Sequence, residues 1–168
     1  VYCNVLDHDN LLEVIKGTDC VCNGCTYKVN LDVMRGCLAA GVHYTDLGGL
    51  YHMTKKQMEL DSEFKKAGLT AVISMGGTPG TINVLARYAV DRMDTVETVR
   101  CLNGCGDWTK TTEVFGVPYS IKTIMEEFTT NPYEFLDGKH VPVEPRSGLE
   151  LIDFPQPLGP AYANYTIH

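Results

Sequence analysis

The chain has no apolar run near the ~20 residues that a membrane helix requires, which removes a helical span from its expected architecture. It lacks a basic stripe as well. Its 14 lysines and arginines are scattered among 21 acidic residues, for a net charge of −7, and this excludes an electrostatic grip on nucleic acid. No charged leader with an apolar stretch opens the chain, so a soluble, cytoplasmic protein with no membrane partner is expected. Internal repeats and low-complexity tracts are absent too. What remains is an ordinary globular composition, 44% hydrophobic and 21% charged over 168 residues. A chain of this length removes roughly 70% of its unfolded surface from water.

A metal-ligand quartet is also missing. Cys20, Cys22 and Cys25 in "DCVCNGC" lack a fourth ligand at motif spacing, and Cys101 and Cys105 do not form a C-x-x-C pair. The expectation is no metal. An odd count of 7 cysteines fits reduced thiols, with Cys20 and Cys37 read as small core residues.

The first half alternates between strand and helix signals. "VYCNVL" (1–6) reads as a strand, "DNLLEVIKG" as a short helix and "DCVCN" as the next strand. Val29, Val33, Cys37 and Ala40 share one helical face that ends at Gly41, and "VHYTDL" is again a strand. Met53, Leu60, Phe64 and Ala67 mark a further helix, "LTAVISM" a buried strand, and Ile82, Leu85, Ala86, Ala89 and Met93 a last strong stripe. Such alternation predicts an α/β fold with a parallel sheet covered on both faces, a Rossmann-type half. Ligands of these sheets lie beyond the carboxyl ends of the strands. Three loops fall there: 23–28, 46–54 and 76–81.

After about Asp94 the pattern becomes α+β. "TVETVRCLNGC" and "LELIDF" read as strands, Asp137-Gly138 as a hairpin turn, and "SIKTIMEEFTTN" as a helix capped by Ser120. Prolines 142, 145, 155, 157 and 160 point to edges and turns. The expected domains are 1–94 and 95–168.

In "ISMGGTPGTINVLARYAV" (73–90), Gly76, Gly77 and Gly80 let a backbone or a flat ligand come close, and the helix starting near Thr81 offers its N-terminal amides to an anion. A tight strand-to-helix turn is the other reading of the same glycines. Both stay open on these residues alone.

"VHYTDLGG", "GGTPGTINVLARYAVDRMD", "VPYSIKTIMEEFTTNP", "DGKHVPVEPRSGLELIDFPQPLGP" and the final "YTIH" together resemble the saccharopine dehydrogenase superfamily, on the side of its saccharopine dehydrogenase-like and lysine 6-dehydrogenase-like proteins. The resemblance runs along the whole chain and is most specific over 43–94. It implies the C-terminal part of a Rossmann-type parallel sheet followed by an α+β substrate and dimerisation domain. It implies NAD or NADP as cofactor, an amino acid or opine as small-molecule substrate, and a homodimer. Members open with a G-x-G-x-x-G turn that has no counterpart here, so the chain is expected to be an internal fragment with little or no turnover of its own.

Carried over by position, Asn23, Gly24, Cys25, Asp46, Leu47, Gly48, Gly76, Pro79, Gly80 and Asn83 border the cofactor. Tyr51, Thr78, Tyr119 and Arg146 face the substrate, and His168 and His52 are the proton-transfer candidates, histidine titrating nearest neutrality. His43, inside a strand, reads as a hydrogen-bonded structural residue. Where some members carry an acidic residue beside the glycine loop, Ser74, Met75 and Thr78 stand here, so the substrate stays unassigned. A non-catalytic binding or assembly module that keeps the fold is the alternative reading.

Overall fold

A computed structural model describes residues 1–109 and 120–167. The chain divides into two compact units, Val1–Cys101 and Leu102–His168.

In the first unit, 1–6 do not form the expected strand. Asn4 accepts the Asp7 amide on its carbonyl (2.9 Å), and its own amide goes to the side chain of Asn10 (2.8 Å). These short polar side chains offer the backbone a local turn in place of a ladder, and Asp7 then caps α1 (His8–Ile15) through the Asn10 amide. The strands are β1 (Cys20–Asn23), β2 (His43–Asp46) and β3 (Ala71–Val72), parallel and in the order β1-β2-β3. Between β1 and β2 runs α2 (Asn30–Ala40), ended as expected at Gly41 with φ +71°. Between β2 and β3 lie α3 (Tyr51–Met58) and α4 (Asp61–Ala67).

The stripe expected as one helix is therefore broken at Glu59–Leu60. The break turns Gln57 toward a polar cluster at the sheet end while Leu60 and Phe64 enter the apolar core. β3 is shorter than its apolar run predicts, because Ser74 takes a left-handed φ of +62° and turns the chain out of the ladder.

Side-chain alternation divides the sheet into two unlike faces. Val21, Tyr44 and Ala71 lie in register and pack with Leu11, Ile15, Val33, Met34, Cys37, Leu60 and Phe64. On the other face Cys22, Thr45 and Val72 are also in register, and Cys22 and Val72 are exposed. The expected double covering is thus corrected to a single one among the described residues. α5 (Thr81–Val90) tells the same story: none of its residues is buried, and Leu85 and Met93 of the predicted stripe are 60% and 58% exposed. An amphipathic stripe shows that a face can be covered and is silent about what covers it.

Cys37 is buried as expected, whereas Cys20 is exposed, being on the open side of the edge strand with Cys22. We expect iodoacetamide, followed by peptide mass mapping, to label Cys20, Cys22, Cys25, Cys101 and Cys105 quickly, with Cys37 labelled only after denaturation. Rapid native labelling of Cys37 would contradict this packing. Among the described residues no group of three or more metal-binding side chains is present, and no helix is long and apolar enough to cross a membrane.

In the second unit, Ser120 accepts the Thr123 amide and caps α6 (Ile121–Thr129). β4 (Tyr133–Leu136) and β5 (Lys139–Pro142) form an antiparallel hairpin, whose turn residues Asp137 and Gly138 have φ of +50° and +76°, as the Asp-Gly pair predicts. β6 (Glu150–Asp153) pairs antiparallel with β7 (Pro160–Ala163). The strand expected around 95–105 is not formed; a strand needs a neighbour for its amides, and none of the described strands pairs with it.

Candidate functional site

Asn23 and Asp46 are register partners at the carboxyl ends of β1 and β2, so the loops that follow leave the sheet side by side. The third loop joins them through the Met75 amide, which donates to the Asp46 carbonyl (2.9 Å). Thus the structure brings the three predicted loops to one edge.

Their side chains divide into two sets. Asn23 and Asp46 point inward, at 5% and 1% exposure. The Asn23 amide nitrogen donates to Asn30 Oδ1 (2.9 Å) and the Tyr44 hydroxyl (3.3 Å), while its oxygen accepts the Cys25 amide (3.1 Å). Asp46 Oδ1 accepts the amides of Gly48 and Ser74, both at 2.7 Å. Its Oδ2 accepts Gln57 Nε2 (2.6 Å) and the Tyr44 hydroxyl (2.9 Å), and Asn30 Nδ2 donates to Gln57 Oε1 (3.4 Å). The result is a buried, satisfied polar network directly beneath the loops. Burial pushes the Tyr44 phenol far above its ordinary range, the adjacent Asp46 carboxylate adding to this and the Asn23 hydrogen bond opposing it. Tyr44 therefore stays protonated and works as a donor.

The outward set comprises Gly24, Cys25, Leu47, Met75 and Gly77, all exposed. A β-carbon at Gly24 or Gly77 would meet nothing within 4 Å, so open space lies over both. Gly76 and Gly80 are different. They form a bridge with each other, and a β-carbon at Gly76 would run into the Leu47 carbonyl, one at Gly80 into the Gly76 backbone. What comes close to these two glycines is the protein's own chain.

The N-terminus of α5 is likewise occupied. The amides of Thr81, Ile82, Asn83 and Val84 donate to the carbonyls of Gly76, Gly77, Gly80 and Gly80, and Asn83 Oδ1 accepts the Gly80 amide (2.8 Å). The expected anion site at these amides is corrected: their donors are spent on the loop itself.

The loop expected over 46–54, holding Tyr51 and His52, ends four residues earlier, at Leu50. Buried Leu50 accepts the amides of Met53 and Thr54 on its carbonyl, which starts α3 at Tyr51. His52 is exposed in the first turn, with its ring edge-on to Tyr27 at 6.1 Å between centroids. Thr78 and Pro79 are half-buried, and Pro79 lies against Gly48. His43 accepts the Thr70 amide on Nδ1 (2.9 Å), the structural role expected of it. Arg146 belongs to the second unit, where its guanidinium sits 4.3 Å from the centre of the Phe128 ring. Tyr119 and His168 lie outside the described residues.

Sequence reasoning missed Asn30, Tyr44 and Gln57. A signal for one was present: the stripe Met53, Leu60, Phe64, Ala67 omits the position between its first two members, and Gln57 fills it. A polar residue in an apolar helical face marks a buried partner.

Residues 1–72 match the family described as saccharopine dehydrogenase NADP binding domain, overlapping the stretch 43–94 only in part. Carboxynorspermidine synthase of Vibrio alginolyticus is 26% identical over 166 positions, covering 90% of this chain and 39% of the relative. The Vibrio cholerae enzyme of the same name is 31% identical over 110 positions, or 56% of this chain and 27% of the relative. Apo saccharopine dehydrogenase (L-Glu forming) from Saccharomyces cerevisiae superposes with a TM-score of 0.64 at 17% identity, over 98% of this chain and 39% of that one. The last likeness is one of fold, a mixed α/β architecture with a parallel sheet. The chain spans about two fifths of the length of the first relative.

Proposed function

We propose that the chain, similar over residues 1–72 to the saccharopine dehydrogenase NADP binding domain, belongs to the saccharopine dehydrogenase superfamily, with NAD(P) as the cofactor class, and forms the nicotinamide-side part of an oxidoreductase acting on a CH–NH or CH–NH2 group of an amino acid or opine. The observation that carries this reading is the gathering of three loops at the carboxyl ends of parallel strands within and beside the matched region. The relatives' names, a carboxynorspermidine synthase and a saccharopine dehydrogenase, support a nitrogen-bearing substrate.

The residues present fit the nicotinamide end of the cofactor. Gly24 and Gly77 leave space for a flat ring and its ribose, and Leu47 and Met75 supply exposed apolar surface beside them. The Asp46 charge is turned inward onto four donors, so it does not stand in the way of an anionic cofactor. The bound cofactor supplies the hydride chemistry. In this reading the chain's residues orient the ring through the three loops, with His52 and Tyr51 in the first turn of α3 and Thr78 in the third loop taken as the groups for proton transfer and substrate contact. In this reading the first unit is the C-terminal part of a Rossmann-type sheet and the second a substrate and dimerisation domain, to which Arg146, Tyr119 and His168 belong.

The test is titration of the chain with NADPH, read by nicotinamide fluorescence, then assay of candidate amine substrates with NADP+ as the hydride acceptor. Saturable binding that Gly77→Trp weakens at least about tenfold supports the reading, the scale expected when a side chain fills a contact surface. Absence of NADPH binding by the folded chain would overturn it and favour the assembly-module alternative.

A further inference from the structure

We infer that Asp46 is a positioning residue whose carboxylate clamps the Gly48 and Ser74 amides and so holds the loops after β2 and β3 together. The inference rests on the proposed function only in naming a nicotinamide cofactor as what those loops face.

The carboxylate is buried at 1% exposure, and each oxygen takes two donors. An ionised carboxylate has about four acceptor sites, so all of them are in use and none is left for a ligand. This separates Asp46 from Gly24, Leu47 and Gly77, which face open space or solvent.

The two amides on Oδ1 lie 2 and 28 residues from Asp46, so one atom joins the exit of β2 to the exit of β3. Ser74 carries a φ of +62°, a conformation that costs free energy in a residue with a β-carbon. Its amide on Asp46 and its hydroxyl against Thr54 Oγ1 (3.2 Å) fix it there. The turn at Ser74 sends the chain back over β2's exit, where Gly76 lies under the Leu47 carbonyl and Pro79 against Gly48. On the far side, Gln57 and Tyr44 hold Oδ2 and fix the carboxylate plane. Gln57 comes from α3, so that helix is tied into the same clamp.

Asp46→Asn gives the decisive variant, since an amide offers one neutral acceptor oxygen, which leaves the Gly48 and Ser74 amides without a charged partner, and one NH2, which then faces the Gln57 Nε2 donor. Hydrogen exchange is read at the Gly48 and Ser74 amides, with the Tyr44 amide on the Thr70 carbonyl as internal reference. In D46N the two loop amides should exchange at least about tenfold faster, the scale of losing one hydrogen bond to a charged group, with the reference unchanged. Adding Gln57→Glu returns a carboxylate to the cluster, which accepts from the new amide at position 46, and should recover most of the protection and of the NADPH affinity. A carboxylate that served by touching the ligand would not be rescued from position 57.

Unchanged exchange at both amides in folded D46N, or no recovery on adding Q57E, overturns the inference. Should D46N fail to fold, Gln57→Met decides, because it removes one donor to Oδ2 and leaves the charge: faster exchange at Gly48 and Ser74 supports the clamp, and unchanged exchange overturns it. If the chain never binds NADPH, the proposed function fails while the exchange data still judge Asp46.

Discussion

Replacing Gly80 with alanine is expected to cost the first unit about 2–4 kcal/mol, the sum of an unfavourable backbone conformation and a backbone overlap that cannot relax by side-chain motion. Gly80 has φ +127°, and its β-carbon would fall on the nitrogen, carbon and oxygen of Gly76. The bridge between the two residues must open, and with it the carbonyls that receive the Thr81, Ile82 and Asn83 amides. Urea unfolding followed by circular dichroism measures the loss, and hydrogen exchange in the first turn of α5 locates it. Gly77→Ala is the matched control. It lies in the same loop, has open space over it and no left-handed φ, so a change within about 0.5 kcal/mol is expected. Equal costs at the two positions would show that the close approach of Gly76 and Gly80 does not hold the loop.

A second large effect is expected in alkali. Burial, reinforced by the neighbouring Cys20, raises the Cys37 thiol from 9.0 to about 11, and burial raises the Tyr44 phenol in the same direction. In both cases the folded state holds its proton longer than the unfolded chain does. The stability is therefore fully present below about pH 9 and falls as pH rises, by roughly 1.4 kcal/mol per unit for each group once its unfolded pKa is passed. Cys37 alone accounts for roughly 2 kcal/mol by about pH 11, most of the two-unit shift converted at that rate. Urea midpoints at about pH 8 and about pH 10.5 measure the loss, and Cys37→Ala should flatten the first part of the decline. An identical slope in the variant would exclude Cys37 as its source.

The helices around Val33 and Ile82, the parallel strands around Val21 and Tyr44 and the Asp-Gly hairpin were legible because each is written in local spacing or turn chemistry. The three loops at the strand ends were legible for the same reason. What the spacing could not carry is the partner across the fold. Asp46 and Asn23 were read as cofactor neighbours from the family resemblance, whereas their side-chain atoms are engaged by Tyr44, Gln57 and Asn30, residues up to 21 positions away for Asn23. Gly76 and Gly80 gave the right inference of close approach, but the resemblance put the cofactor there, where the chain's own backbone lies. Val1–Leu6 failed as a strand because an apolar alternation competes with Asn4, Asp7 and Asn10, whose side chains capture amides locally.

The single-sided sheet also fixes a direction of winding. The chain steps from β1 to β2 to β3 always toward the same side, and right-handed crossovers that keep stepping one way lay every connecting helix on one face. α2, α3 and α4 are those connections, and the core lies on their side. Only a reversal of the stepping direction clothes the opposite face, and in open parallel sheets the reversal is where a crevice forms between diverging loops. β1 has a free outer edge among the described strands, and Gly24 and Cys25 stand at its end. A further parallel strand paired to that edge, with its connection on the open face, would make the three loops one bank of a crevice that opens beside those two residues.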